Sequence, residues 1–261
     1  MEIVRFDQVS LNVCGRTLMD QVSFSMFLGE HIGIIGPSGA GKSTFLKLML
    51  GFLKPSKGKV YLFGQAVSEL SDQDLEKLRM DIGMLFQTDA LFSEWTVEEN
   101  IAFPIRYHYD LPEQVTRNLV KLKLDDVGLR GAERLFPREL SGGMARRVAL
   151  ARAVSRDPNF IIYDEPFTGQ DPVTKSHLKI LMRKFHKEKM SSVIVSHDIK
   201  DLSEVVQKMV VIWEGRVMAF GTVDEVMKSD NEVVRHFIDG SSLLTQENSD
   251  QDLLTDIMEG C

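Results

Sequence analysis

Residues 31–49 read HIGIIGPSGAGKSTFLKLM, and the order of residue types along them leaves few folds open. The apolar run HIGII is short and stops at glycine, so it reads as a buried strand. KSTFLKLMLGF then has the spacing of a helix, and the glycine-rich piece between the two is a loop. A buried strand that feeds a helix through a tight loop is the unit of a parallel sheet covered by helices. The loop fits G-x-x-x-x-G-K-[ST], running from Gly36 through Pro37, Ser38, Gly39, Ala40 and Gly41 to Lys42 and Ser43, with Thr44 after it. Its glycines let the backbone wrap phosphate groups with successive N–H groups pointing inward. Lys42 then reaches the β and γ oxygens of a nucleoside triphosphate, and the Ser43 hydroxyl ligates Mg²⁺.

The rest of the chain alternates strands and helices around this unit. IVRFDQVSLNV and LMDQVSFSM alternate apolar and polar residues on either side of CGR, which predicts a hairpin. VYLFG and DIGMLFQ read as strands, and DQDLEKLRM between them as a helix capped by Ser71. From about Thr96 to Leu129 the pattern is helical, punctuated by Pro104 and Pro112, and no strand intervenes. Alternation resumes with NFIIYDE as strand, DPVTKSHLKILMRKFHKE as helix with Pro172 in its first turn, SSVIVSH as strand and DIKDLSEVVQ as helix. MVVIWEGRVMAFG predicts a second hairpin pivoting on Glu214-Gly215, and TVDEVMKS and NEVVRHFIDG predict short closing helices. The expected class is α/β: a mostly parallel core sheet, an N-terminal antiparallel β subdomain and an inserted α-helical subdomain. One domain is expected over residues 1–240, with core and β subdomain at 1–87 and 157–240 and the helical subdomain at 88–156. Residues 241–261 form a polar, acidic tail, and its Leu253, Leu254, Ile257 and Met258 read equally as one or two amphipathic turns that could dock on a partner subunit or as part of a disordered end.

Composition removes several function classes. With 261 residues, 43% of them hydrophobic, the chain can bury a sizeable core. A net charge of −7 argues against a non-specific nucleic-acid binder, which needs a basic surface to displace counterions. Cys14 and Cys261 lack metal-ligand spacing and suit a reducing compartment. The acidic start Met1-Glu2 carries no export signal, and HIGIIG and MVVIW are far too short to span a bilayer. An intracellular protein is expected, with docking on a membrane partner left open.

NFIIYDEP supplies the second half of a triphosphate site. Its strand delivers Asp164 and Glu165 to the carboxyl edge of the sheet, where ligands bind in open α/β folds. Asp164 is expected to hold Mg²⁺ through water and Glu165 to polarise the attacking water as general base. Gln87 after IGMLF and His197 after SVIVS should reach the same edge, Gln87 orienting water and Mg²⁺ and His197 bonding the γ-phosphate. Either residue alone would be an ordinary loop residue; only convergence with the phosphate loop singles them out. Farther along, Leu140-Ser141-Gly142-Gly143-Met144 opens the helical run MARRVALARAV. Such a helix N-terminus suits an anion, because its first N–H groups lack intrahelical partners and the dipole favours negative charge. No buried strand precedes it, so the phosphate it would hold must come from elsewhere.

GPSGAGKST, LFQ, LSGGM, FIIYDEP, GQDP and VSHD occur in the order and spacing of ABC-transporter ATPase subunits, and the chain resembles that family over nearly everything but its tail. The resemblance implies a P-loop NTPase of ABC type that hydrolyses ATP with Mg²⁺. Ser43, Gln87 and Asp164 would serve the metal, Glu165 would be the base and His197 the switch histidine. It also implies a head-to-tail dimer, in which Ser141, Gly142 and Gly143 of one copy close over the γ-phosphate held by the other and Asp171 lies at the seam. Binding energy would thereby become a change of distance between subunits. The pattern departs at Val13, where the family places an aromatic to stack on adenine, and at Met144, where it favours Gln.

GQDP in place of GLDP, together with LSGGMARR, ENIAFPIRYHYDLPE and VGLRGAERLFPRELSGG, further resembles the Mla-type lipid-trafficking ATPases of bacteria. Those power an inner-membrane permease that works with a lipid-binding MCE-domain protein. The resemblance implies a peripheral place on the cytoplasmic face of the inner membrane, with the surface near Gln87 and from Thr88 to Pro104 receiving a permease helix. The cargo rests on resemblance alone, and a different cargo is the alternative. A soluble ABC protein acting on DNA or ribosomes would carry a coiled-coil insertion, zinc cysteines or fused nucleotide domains. A non-catalytic regulator would have lost Glu165 or His197, and the sequence keeps both.

Overall fold

The computed structural model describes residues 1–186 and 190–239. They fall into two compact units, Met1–Arg79 with the chain from Val193 onward, and Met80–Ser192. The tail expected at 241–261, with its apolar cluster, lies outside the described residues. Through the first unit the chain forms β1 (Glu2–Val13), β2 (Arg16–Phe27), β3 (His31–Ile35), α1 (Lys42–Met49), β4 (Lys57–Leu62), β5 (Gln65–Ala66) and α2 (Asp72–Arg79). The second unit holds β6 (Ile82–Leu85), α3 (Val97–His108), α4 (Glu113–Asp126), α5 (Gly142–Ala153), β7 (Phe160–Asp164) and α6 (Pro172–His186). β8 (Ser191–Ser196) returns the chain to the first unit, which closes with α7 (Ile199–Ser203), β9 (Lys208–Trp213), β10 (Arg216–Thr222), α8 (Val223–Met227) and α9 (Glu232–Asp239).

In the first unit β1 pairs antiparallel with β2 and β4, giving the sheet order β2-β1-β4-β5. β3 runs parallel to β9, with Ile34 opposite Val210, and β9 turns back into β10. Every residue of β3 is buried, as a parallel strand covered on both faces requires. The second unit adds a parallel pair, β6 with β7, in which Leu85 lies opposite Tyr163. These pairings bear out the expected α/β class, with parallel core strands and an antiparallel β subdomain at the N-terminus.

The expected hairpins form for a specific backbone reason. Cys14-Gly15 and Glu214-Gly215 both have positive φ at two successive residues (48° and 77°, 46° and 74°), the type I′ geometry whose twist matches that of the flanking strands. A third such turn, Phe63-Gly64 at 49° and 78°, ends β4 and starts β5 where the sequence reads as one strand. Two further differences concern helices. Pro104 lies inside α3, which continues to His108, because the buried Ile101, Ala102 and Ile105 hold that face through the missing hydrogen bond. The helix expected over DIKDLSEVVQ forms only from Ile199 to Ser203, capped by the Asp198 carboxylate, which accepts from the Lys200 and Asp201 amides.

An aromatic cluster seats α1. The Phe45 ring stacks on Phe6 at 4.2 Å and meets Phe24 edge-on at 5.6 Å, while Phe24 also packs edge-on against Phe220 of β10. Burying one such ring contributes about 2 kcal/mol, so α1 is pinned to β1 and β2 one turn beyond Lys42.

Candidate functional site

The loop between β3 and α1 needs its glycines. Gly41 caps α1 at φ 103°, and Gly39 has φ 76°, both in the left-handed region that a Cβ disfavours. At Gly36 the obstacle is space, since a Cβ there would stand 2.2 Å from the carbonyl oxygen of Ile212 in β9. Lys42 lies back over the loop, its Nζ donating to the carbonyls of Gly36 at 2.8 Å and Pro37 at 2.9 Å. The Gly215 amide donates to the Ala40 carbonyl at 3.0 Å, which ties the loop to the β9–β10 turn. Ser38, Gly39 and Ser43 are exposed, and no carboxylate lies between Gly36 and Thr44. A helix N-terminus, a backbone turn and an adjacent ammonium group suit a phosphate chain. In the same unit His197 follows the last residue of β8 and is exposed. Val13 ends β1 beside the Cys14-Gly15 turn, which brings no aromatic ring.

In the second unit, Gln87 and the Asp164-Glu165 pair leave the same edge of neighbouring strands, because β6 and β7 run parallel with Leu85 opposite Tyr163. Gln87 is exposed, Asp164 half-buried and Glu165 buried. Glu165 has φ 45°, a left-handed backbone that costs about 1 kcal/mol or more in a residue with a side chain. Thr168 helps hold it there, its hydroxyl donating to Glu165 Oε2 at 2.9 Å. The buried guanidinium of Arg146 donates to the carbonyls of both Glu165 and Gln87. Sequence reasoning missed Arg146. The available signal was a charged residue at a position of α5 that shares a face with Ala149, Leu150 and Ala153.

The Ser-Gly-Gly segment opens α5 as expected. Ser141 is the N-cap, its Oγ accepting from the Met144 amide at 3.3 Å. The two glycines differ: Gly142 has open space where a Cβ would go, whereas a Cβ on Gly143 would lie 2.8 Å from Thr174 Oγ1. Thr174 donates its hydroxyl to Asp171 Oδ2 at 2.6 Å, and Asp171 Oδ1 accepts from the amides of Val173 and Thr174. The Thr174 hydroxyl first, then these amides, hold the Asp171 carboxyl below its usual range. Ser141, Gly142, Gly143, Arg147, Asp171 and His177 line a concave pocket of about 360 Å³. Orphan helix N–H groups beside a guanidinium suit an anion, with the Asp171 carboxylate on the opposite side of the charge balance.

Known proteins are similar to the chain over most of its length. The family described as ABC transporter matches residues 19–168. That span holds the phosphate loop, Gln87, the Ser-Gly-Gly segment, Asp164 and Glu165. The intermembrane phospholipid transport system ATP-binding protein MlaF of Haemophilus influenzae is 42% identical over 228 residues, which cover 87% of this chain and 86% of that protein. MlaF of Escherichia coli strain K12 is 37% identical over 239 residues, covering 91% and 89%. Among solved structures, a dimeric post-hydrolysis state of the ATP-binding cassette MJ0796 bound to ADP and Pi aligns with a TM-score of 0.77 at 29% identity, covering 85% of this chain and 99% of that one. A glycine loop that fits phosphates, carboxylates at a parallel strand edge, an anion-receiving helix start and relatives matched over most of their length lead to one conclusion: the chain belongs to the ABC transporter family, as one of its ATP-hydrolysing cassettes.

Proposed function

We propose that this chain is the ATP-hydrolysing subunit of a bacterial transporter of phospholipid between envelope membranes, and that it works as a head-to-tail pair. The observation that carries the reading is the second anion receptor, at the start of α5, which has no strand and phosphate loop of its own. A second copy presenting its bound nucleotide supplies the missing phosphate. In support, the ADP-bound relative is dimeric, and the two MlaF relatives, matched over 86% and 89% of their own length, are named for phospholipid transport.

In the proposed cycle the amides between Gly36 and Thr44 bind the β and γ phosphates, and Lys42 exchanges its carbonyl partners for phosphate oxygens. The residues fit Mg²⁺: Ser43, Gln87 and Asp164 are oxygen donors of the kind that hold it together with phosphates. When bound, the ion neutralises charge developing on the phosphoryl oxygens. Glu165 orients and deprotonates the attacking water, with Thr168 fixing its carboxylate, and His197 donates to the γ-phosphate. Ser141, Gly142 and Gly143 of the other copy close over that phosphate, with Asp171 beside them. Residues 88–156 act as the helical subdomain that bears this segment.

Among the described residues no helix is long and apolar enough to cross a membrane. We place the chain on the cytoplasmic face of the inner membrane through a permease, with an MCE-domain lipid-binding protein in the same assembly. The permease helix would meet the aromatic surface beyond Gln87, where Phe92, Trp95 and Phe103 pack with centroids 4.3–5.5 Å apart and Phe92 and Phe103 remain exposed.

Glu165→Gln tests the reading. The variant is expected to bind MgATP normally, lose turnover by about a thousandfold or more and accumulate an ATP-locked dimer by size exclusion. Hydrolysis at the wild-type rate would remove Glu165 as base. Isolated from native membranes in mild detergent, the same variant should bring a multi-span permease, an MCE-domain protein and phospholipid, identified by mass spectrometry. A different permease would discard the cargo and keep the ATPase.

A further inference from the structure

Arg146 is a charged residue in a place that normally excludes charge. It lies one turn into α5 and is 1% exposed. A buried guanidinium survives only if its donors are met, since an unpaired buried charge costs several kcal/mol. Its partners are unusual. Nη1 donates to the carbonyl of Phe86 at 2.6 Å, the carbonyl of Gln87 at 3.2 Å and the Asp89 carboxylate at 3.0 Å. Nη2 donates to the carbonyl of Glu165 at 3.1 Å, and Nε to that of Pro166 at 3.1 Å. One side chain therefore holds two loops by their backbones, at the residues that leave the carboxyl edge of β6 and β7.

We propose that Arg146 is a positioning residue for ATP hydrolysis, fixing the backbones of Gln87 and Glu165 in one register with the Ser-Gly-Gly helix. The inference rests on the roles proposed above for those two residues. Its physical content is rigidity. Glu165 occupies a left-handed backbone that persists only when its surroundings hold it, and its carbonyl is fixed from two sides, by Arg146 Nη2 and by the Thr168 amide at 3.3 Å. The loop after β6 is fixed a second time from α5, because Arg152 donates to the carbonyls of Asp89 at 2.9 Å and Ala90 at 2.7 Å. Gly142 begins the same helix, so one element carries both the Ser-Gly-Gly start and the arginine that bonds the carbonyls of Gln87 and Glu165. A lysine does not reproduce this fork. Its three donors sit on one nitrogen, whereas the guanidinium spreads its donors over three nitrogens and reaches the two loops with different atoms.

Arg146→Lys and Arg146→Gln in the full chain decide the matter, with kcat and KM for MgATP, equilibrium binding of ATP and thermal melting read on each. Positioning predicts folded variants with kcat lowered about tenfold or more while KM and ATP affinity stay within about threefold, because the phosphate loop is untouched and only the reacting geometry is lost. Unchanged kcat in a folded variant would overturn the proposal. Variants that do not fold, or that lose ATP affinity in step with kcat, would also overturn it by making Arg146 a structural residue only. Glu165→Gln measured alongside separates the two levels: wild-type turnover there sinks the general-base reading, whereas its loss with an unaffected Arg146→Lys sinks only the positioning role.

Discussion

Lys42 shows how a single residue holds the loop ready without depending on it for stability. Its Nζ rests on the carbonyls of Gly36 and Pro37, contacts that the proposed phosphate would replace with charge-assisted ones. Lys42→Ala should therefore weaken ATP binding by about tenfold or more while shifting the melting temperature little; titration and a melt check both, and undiminished affinity would exclude the role. This residue was legible in the sequence because the phosphate-loop pattern fixes residue type at Gly36, Gly41, Lys42 and Ser43 at set spacing. Arg146 was not, because its partners are mostly backbone carbonyls, which every residue carries and no motif records.

Among the elements, α3 has a start that the sequence marks and the structure completes. Thr96 accepts from the Glu99 amide at 3.2 Å and Glu99 reaches back to the Thr96 amide at 2.7 Å, a reciprocal cap. Thr96→Ala should cost about 1 kcal/mol and lower the melting temperature by roughly 2–4 °C. The Thr96 amide first, then its hydroxyl, hold the Glu99 carboxyl below its usual range. A carboxyl lowered in the folded state contributes stability above its unfolded pKa and loses it as pH falls through the folded value. The difference between wild type and Thr96→Ala should accordingly shrink in acid, and melts across that range measure it. The Glu214-Gly215 hairpin was legible because glycine sits where φ must be positive. The Phe63-Gly64 turn was missed because a bulky apolar residue in left-handed backbone reads as strand.

At the level of the whole molecule, the proposed head-to-tail pair brings a second copy onto the pocket at the start of α5. Ser141 is exposed there, so Ser141→Arg places a long cation at the surface which that pairing would use. The variant should still bind ATP as a monomer, lose turnover by about tenfold or more and form no locked dimer when combined with Glu165→Gln. A locked dimer that persists would exclude this surface from the interface. Loss of ATP binding by the monomer would instead mean that the segment acts within one chain.

The sequence by itself determined the α/β class, the phosphate loop, both long hairpins and the identity of nearly every chemical group proposed for hydrolysis. It did so because glycine-dependent backbone, strand-ending carboxylates and a serine-capped helix each demand particular residue types at fixed spacing. Only the tertiary structure decided that Pro104 stays within a helix, that α7 is short and that Gly143 packs on Thr174 beside Asp171. It alone placed Gln87 and Glu165 under one buried arginine. Those outcomes depend on packing and on hydrogen bonds between residues distant along the chain, whose spacing carries no local period to read.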